Sequence, residues 1–492
     1  MRTGRKAGQG RRAGVMPRPE SCVKSGELPG HVSILGFARS GQALACALAD
    51  RGVALRIADA KPEEAFPREN IENLRARGAL FFFDGPSEDF LDAAGWLAIS
   101  PGVPLTATPV SQARSRGIPV LAEFEIAWRI AEEQAPGANR WVAVTGTNGK
   151  STTTAWIAEV LRQAGRPVAL AGNIGVPLSE FLSERRPRDF VCEVSSFQLE
   201  AIELFHPQVA VLTNVTPDHL DRYADFAEYA AAKEKLFRNQ GPEDFAVLNA
   251  EDTASRPMRT RARRVLFSRS AAVPGGVWAR EGWLSSDVGG QRRRVLQEEG
   301  VALAGAHNLE NALAVLAATE CLQVPVEAIR NGLTRFTGLP HRTELVAEAR
   351  GVRWVDDSKG TNVDATRKSL EGYPGKSVIL ILGGRDKHGD FSALAAVVAR
   401  TARQVLTIGE AAGTIEKALS GAVAVERSTT MEKAVERANV LARPGDTVLL
   451  SPACASFDQY SNFEERGNHF ARLAREMTEN GKRKTENERA KP

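Results

Sequence analysis

The segment VAVTGTNGKSTTTAWIAEVL, from Val142 to Leu161, sets two glycines, a lysine and a run of hydroxyls between a β-rich lead-in and a helix-like tail. These are the residue types of a phosphate cradle. Glycines let backbone N–H groups converge on an anion without interference from a Cβ, and a helix that begins there aims its positive pole at the loop. The spacing is shortened: only Thr147 and Asn148 separate Gly146 from Gly149, and Val144 stands where the general nucleotide loop has its first glycine. Lys150 is placed to bridge terminal phosphates and Ser151 to hold Mg²⁺, with Thr152 in the first helical turn. Further on, Glu193 closes the apolar run DFVC and suits a hard oxygen ligand at a strand end. His219 follows NVTPD, where an imidazole reads either as a ligand or as a satisfied structural residue. Lys233, beside Lys235, reads on residue type alone as a solvated helix lysine.

The elements that must position these groups alternate along the chain. HVSILGFARSGQALACALADRGVALRIAD, from His31, is a strand, a glycine turn, an Ala/Leu-rich helix and a second strand ending at Asp59, the start of a doubly wound unit. Its dinucleotide fingerprint is incomplete, because Ala38 stands at the second glycine position. The central region carries DFVCEVSS, VAVLTNV and DFAVLNA, then short strands from about Val265 to Ala304 and the helix HNLENALAVLAATECL, with Asn308 as its expected N-cap. Beyond Leu339, the apolar strands of GVRWVDDSKGTN, SVILILGG, RQVLTIG and DTVLLSPACAS alternate with helical segments, the pattern of a parallel sheet flanked by helices. The fold class expected is α/β, with three consecutive domains: a Rossmann-like N-terminal domain (30–125), a central P-loop ATPase-like domain (126–338) and a Rossmann-like C-terminal domain (339–480). A disordered basic extension (1–29) and a disordered tail (481–492) flank them.

Composition excludes several classes. The chain of 492 residues has no apolar run near the roughly 18–20 residues of a membrane helix. Its five scattered cysteines, an odd number without metal spacing, read as reduced thiols of a cytoplasmic protein. The formal charge of +4 invites a nucleic-acid reading, but residues 1–29 alone carry +5, leaving the remainder near −1.

TGTNGKST, with its shortened spacing, resembles the ATP loop of the Mur ligase superfamily, which includes the folylpolyglutamate synthases. The likeness continues in order through GNIG (172–175), EVSSFQLE (193–200), NVTPDHLDRY (214–223), YAAAK (229–233), AHNLENALA (306–314) and GLPHRTE (338–344). DDSKGTN (356–362), LGGRDKHGDF (382–391) and SPACASFDQYSNFEERGNHF (451–470) resemble the third domain of its D-glutamate-adding branch.

The resemblance implies an ATP-dependent amide ligase that joins D-glutamate to UDP-N-acetylmuramoyl-L-alanine through an acyl phosphate, in peptidoglycan synthesis. It implies ATP contacts at Gly146, Thr147, Asn148, Gly149, Lys150, Ser151, Thr152, Asn308, Arg342 and Asp357. Two Mg²⁺ ions would lie near Ser151, Glu193, His219 and Lys233, and Lys233 would be carbamylated; the choice of Lys233 over Lys235 rests on aligning the Ala-Ala-Lys triplet. Lys150, His219 and Lys233 are the expected catalytic groups. Arg39, Ser40, Asp59 and Asn173 are expected at the UDP substrate, with the altered Gly36-Phe37-Ala38 turn bearing on the uridine end. Lys359, Thr361, Lys387, Ser456 and Phe463 are expected around D-glutamate. A cytoplasmic monomer is expected, with no nucleic-acid partner and no membrane insertion. Another superfamily ligase with a different acceptor or amino acid is the alternative. The diaminopimelate- or lysine-adding branch is disfavoured by the lack of an Asp-Asn-Pro-Arg motif, and a folylpolyglutamate synthase by the uridine-type first domain. A nucleotide-gated scaffold is disfavoured because Lys150, Glu193 and Lys233 are all present.

Overall fold

The computed structural model describes residues 28–303 and 305–489. The expected basic extension lies outside them apart from its last two residues, of which Leu28 packs against the core.

Three sheets follow one another along the chain. The first has five parallel strands in the order Leu80–Phe82, Ala54–Ala58, His31–Leu35, Trp96–Ile99, Val120–Ala122. Connectivity reverses beside His31–Leu35, so the crevice of this sheet opens at the Gly36 turn. The helix Arg39–Ala49 starts there and buries Leu44, Ala45 and Leu48 on the sheet.

The central sheet has nine strands. Arg140–Thr145 lies between Val209–Leu212 and Asp189–Glu193, with Val168–Gly172 at one edge. On the other side come Phe245–Asn249, Arg263–Ser268 and Val277–Arg280, all parallel, then Trp283–Ser286 and Arg293–Gln297, which are antiparallel. The short strands expected from about Val265 to Ala304 extend this sheet. Buried on both faces, its middle strands read as continuous apolar runs, as parallel strands do. The helix Lys150–Gln163 is buried along most of its length, and Trp156 stacks on Phe336 with ring centroids 5.0 Å apart. Truncating so large a buried ring costs about 3–5 kcal/mol.

The third sheet runs Glu344–Ala349, Val352–Asp356, Thr447–Leu450, Val378–Gly383, Ala402–Ile408, Ala424–Thr429, parallel except for its first strand. The chain closes with the helix Phe463–Arg489. That helix covers residues 481–489, where a disordered tail was expected; Lys, Arg and Glu are good helix formers, and the preceding turns are already anchored on the sheet.

Two further expectations are corrected. The helix Ala306–Cys321 has Gly305 at its N-cap, so Asn308 sits inside the first turn rather than capping it. The division after residue 125 falls within the helix Glu123–Gln134, which is buried almost all round because it packs between the first two sheets. Among the described residues, no helix is long and apolar enough to cross a membrane, and Cys46, Cys192, Cys321 and Cys454 are free.

Glu123, at the head of that interdomain helix, is buried, and its Oε2 has no partner. Burial pushes its carboxyl up to about 7, against hydrogen bonds from Gln198 and Ser40 that lower it. The folded state thus holds this proton more tightly than the unfolded chain, so its stabilising contribution is complete below pH ~4.5 and is lost as pH rises through about 7. The loss is on the order of 3 kcal/mol. Glu123→Gln should therefore unfold at a higher temperature than wild type at pH 8, with the gap closing at pH 5; equal midpoints at both pH values would contradict this.

Candidate functional site

The strand Arg140–Thr145 delivers the glycine loop at its carboxyl end, and the helix Lys150–Gln163 begins directly after it. Gly146 (φ 147°) and Gly149 (φ 82°) adopt left-handed backbone. A Cβ on the first would collide with Thr213 Oγ1 and on the second with the Asn311 side chain, so glycine is needed at both. The loop is tied to the chain after the neighbouring strand. Thr147 N–H donates to Asn214 O at 2.8 Å, Thr147 Oγ1 to Thr216 O at 3.0 Å, and Asn148 N–H to Asn214 Oδ1 at 3.0 Å. Ser151 and Thr152 are buried in the first helical turn.

Around this loop the structure gathers charge. Lys150 Nζ donates to Gly146 O at 2.9 Å and Thr147 O at 2.6 Å. Lys233, 1% exposed, reaches the same Gly146 O at 2.7 Å from the helix Phe226–Glu234, with its ammonium 4.5 Å from the Tyr229 ring. Burial, then the Lys150 charge, drives the Lys233 amine well below the ordinary lysine range. The solvated-lysine reading fails for this reason: the helix turns Lys233 inward, while Lys235 donates elsewhere, to Glu200 O at 2.7 Å.

Glu193 ends the strand Asp189–Glu193 beside the loop and is 1% exposed. Burial works to raise its pKa, but Lys150, Arg342 and Lys359 hold it below the usual range. Its Oε1 accepts from Asn173 Nδ2 at 2.6 Å, and its buried Oε2 has no partner. An orphaned carboxylate oxygen beside Ser151 fits a hard divalent cation. His219 sits at φ 57° with its ring edge-on to Phe197 at 4.8 Å. Burial pulls its pKa down to about 4, so a neutral imidazole faces the loop.

A cavity of about 270 Å³ opens between the central and third sheets. Asn148, Gly149, Thr152 and Asn308 line it from one side, Arg342, Asp357 and Lys359 from the other. Asp357 accepts from Ser451 Oγ at 2.8 Å, and burial pushes its pKa up to about 7. The Arg342 turn is held by its neighbour His341, whose Nδ1 pairs with Asp356 at 2.7 Å. Lys359 lies with its ammonium 3.9 Å from the Phe463 ring; burial brings it down to about 8.

The remaining expected residues are spread more widely. Lys387 pairs with Asp218 at 2.8 Å and lines a second interdomain cavity of about 370 Å³ with Asp218 and Asn362. Thr361, Ser456 and Phe463 are not among the walls of either cavity, although Ser456 is buried. Arg39 and Ser40 open the first-sheet helix, with Arg39 exposed and 3.9 Å from Glu180. Both oxygens of Asp59 are engaged, one by Phe37 N–H at 2.7 Å and the other by Lys61 N–H at 3.0 Å. Asn173 donates from Nδ2 to Glu193 Oε1 at 2.6 Å.

Sequence reading missed the polar seam that joins the central and third sheets. Asp364 accepts from Asn148 Nδ2 at 2.8 Å and Thr216 Oγ1 at 3.2 Å. Asp218 accepts from Asn362 Nδ2 at 2.9 Å as well as from Lys387, and these partners hold its carboxyl down to about 2 against the burial that would raise it. Asp218 and Asn362 lie inside NVTPDHLDRY and DDSKGTN, so the motifs flagged the segments but not the pairing.

A glycine loop on one sheet, faced by cations from another, marks a nucleotide-dependent enzyme, and comparison with known proteins gives its class as a Mur-type ligase. Residues 144–319 match the Mur ligase middle domain and residues 341–454 the Mur ligase, glutamate ligase domain. The chain belongs to the Mur ligase family. Within it, the chain is 42% identical over 448 residues to the UDP-N-acetylmuramoylalanine--D-glutamate ligase of Pelotomaculum thermopropionicum, spanning 90% of this chain and 96% of that protein. It is 40% identical over 455 residues to the ligase of the same name from Koribacter versatilis, spanning 92% and 98%. The fold is shared with the UDP-N-acetylmuramate-alanine ligase MurC of Thermotoga maritima, at a TM-score of 0.57 and 19% identity over 91% of this chain and 99% of that one. It is also shared with the MurF ligase of Thermotoga maritima in complex with ADP, at 0.59 and 17% over 87% and 95%.

Proposed function

We infer that this chain is an ATP-dependent ligase that adds D-glutamate to UDP-N-acetylmuramoyl-L-alanine in peptidoglycan synthesis. The relatives that span nine-tenths of it support the substrates. The observation that carries the mechanism is the convergence at one loop of Lys150, Lys233 and the free oxygen of Glu193, with Arg342 and Lys359 from the wall of the interdomain cavity adding positive charge around that carboxylate.

The chemistry follows from that charge. A carboxylate is a poor electrophile and repels the phosphate it must attack. Lys150 at the loop and Arg342 from the third sheet offset the negative charge that builds during transfer. The acceptor carboxylate takes the γ-phosphoryl group, releasing ADP, and becomes an acyl phosphate. The unprotonated D-glutamate amine attacks its carbonyl carbon; the C–N bond forms, the C–O bond to phosphate breaks, inorganic phosphate leaves, and the nitrogen gives up one proton. Asn148, Gly149, Thr152 and Asn308 line the nucleotide seat, with Asp357 placed for the ribose. Closure of the third sheet keeps the acyl phosphate from water.

Ser151 and Glu193 would hold Mg²⁺ on the nucleotide, with His219 and Lys233 near a second ion. The metal supplies charge neutralisation at the phosphates. Carbamylation of Lys233 fits its environment. Burial and the Lys150 charge disfavour the protonated form of this amine; its unprotonated form adds to carbon dioxide, forming an N–C bond and releasing one proton, and the carbamate N–H can still donate to Gly146 O. The product sets an anion beside the Lys150 cation, which favours it. The first sheet and its helices are the UDP-substrate module, with Arg39, Ser40 and Asp59 at its crevice. The central sheet is the ATP module and the third sheet the amino-acid module, with Lys359, Thr361, Lys387, Ser456 and Phe463 around D-glutamate. The enzyme acts as a cytoplasmic monomer.

The test is substrate dependence. Phosphate release from ATP is expected only when UDP-N-acetylmuramoyl-L-alanine and D-glutamate are both present. Turnover with meso-diaminopimelate or L-lysine in place of D-glutamate would overturn the assignment.

A further inference from the structure

Arg222 lies just beyond His219, and its backbone N–H donates to His219 O at 3.0 Å. Its guanidinium does two things at once. Nε and Nη2 grip both oxygens of Glu200 at 3.0 and 2.6 Å. Nη1 donates to Pro101 O at 3.1 Å and Nη2 to Val103 O at 3.0 Å, on a loop that belongs to the first sheet. The plane also covers the Phe197 ring at 4.2 Å, and Phe197 in turn meets the His219 imidazole. The loop that Arg222 holds sits on the first-sheet crevice: Ser100 Oγ donates to Gly36 O at 2.9 Å, and a Cβ at Gly36 would come within 2.8 Å of Ser100 Cβ. Within this loop Val103 N–H donates to Ser100 O at 2.9 Å, while Pro101 and Pro104 have no N–H to donate, so the bonds from Arg222 add to a short turn.

We propose that Arg222 is a positioning residue for the UDP-linked acceptor, clamping the loop 100–104 at the Gly36 crevice to the His219 turn. The inference rests on the ligase reading above. An acceptor held at the crevice spans two sheets to reach the phosphate loop. Its carboxylate arrives at a fixed place only if the crevice loop and the His219 turn move as one body. A forked guanidinium gives four directed bonds where an ammonium gives one compact charge. Substitution should therefore act on one substrate and spare the other two.

The experiment compares wild type with Arg222→Lys and Arg222→Met in steady-state assays, varying each substrate in turn. Expected is a KM for the UDP-linked acceptor about ten-fold higher in both variants, with KM for ATP and D-glutamate within about two-fold of wild type. Thermal unfolding should confirm that the variants fold. Wild-type acceptor KM in Arg222→Lys would overturn the clamp, since the charge alone would then suffice. A parallel rise in all three KM values would also overturn it, marking Arg222 as a general structural staple. If both variants fail to fold, Glu200→Gln weakens the same grip; an unchanged acceptor KM there would refute the proposal. Failure of wild type itself to turn over with D-glutamate would strike the ligase reading instead.

Discussion

Lys150→Ala is expected to lower the rate of phosphate release at saturating substrates by about 10³-fold or more, the scale on which removing a charge-stabilising donor acts in a dry site. The ammonium is held on the loop carbonyls of Gly146 and Thr147, within the loop whose Asn148 and Gly149 wall the nucleotide seat. It is also the first counter-charge that keeps buried Glu193 ionised. The substitution thus removes both the cation that meets the phosphates and the partner that keeps a metal-binding carboxylate available. Initial rates of phosphate release, with thermal unfolding as a control for folding, measure the loss. A folded variant within ten-fold of wild type would exclude Lys150 from phosphoryl transfer.

Lys233→Ala is expected to lower turnover by a comparable factor, about 10³-fold, but with a different signature. The substitution opens a small space beneath Gly146 O, walled by Tyr229. If a carbamate is what the enzyme uses there, short carboxylic acids added to the assay should restore activity by about ten-fold or more, because a free carboxylate can then occupy the vacated place. Full activity in the unrescued variant would refute the role of Lys233. Loss without any rescue would argue for the amine itself.

The phosphate loop, the end of the Glu193 strand and the α/β class were legible because each depends on neighbours in sequence. Glycine pairs, apolar runs and helix starts are local signals, and the helix after Gly149 begins where the hydroxyl run begins. The residues at Asn308 and beyond Gly481 misled for the same reason. A generic capping preference does not register that Gly305 already supplies the turn, and a polar composition does not register that a helix is anchored upstream. The seam between the central and third sheets was not legible at all. Asp218 and Lys387 are 169 residues apart, and Asn148 and Asp364 are 216 apart, so only the assembled fold reveals that they meet. Lys233 is intermediate. Its helix could be read, but which face turned inward depended on how Tyr229 and the loop pack around it.

The most direct measurement follows the oxygen atoms. The reaction is run with UDP-N-acetylmuramoyl-L-alanine carrying ¹⁸O in both oxygens of its reacting carboxylate, and the inorganic phosphate is analysed by mass spectrometry. Because the carboxylate attacks the γ-phosphorus and the phosphate later departs with that oxygen, each phosphate released should carry one ¹⁸O and each new amide should keep the other. Phosphate free of label, formed in step with the amide product, would contradict the activation of a carboxylate at this loop.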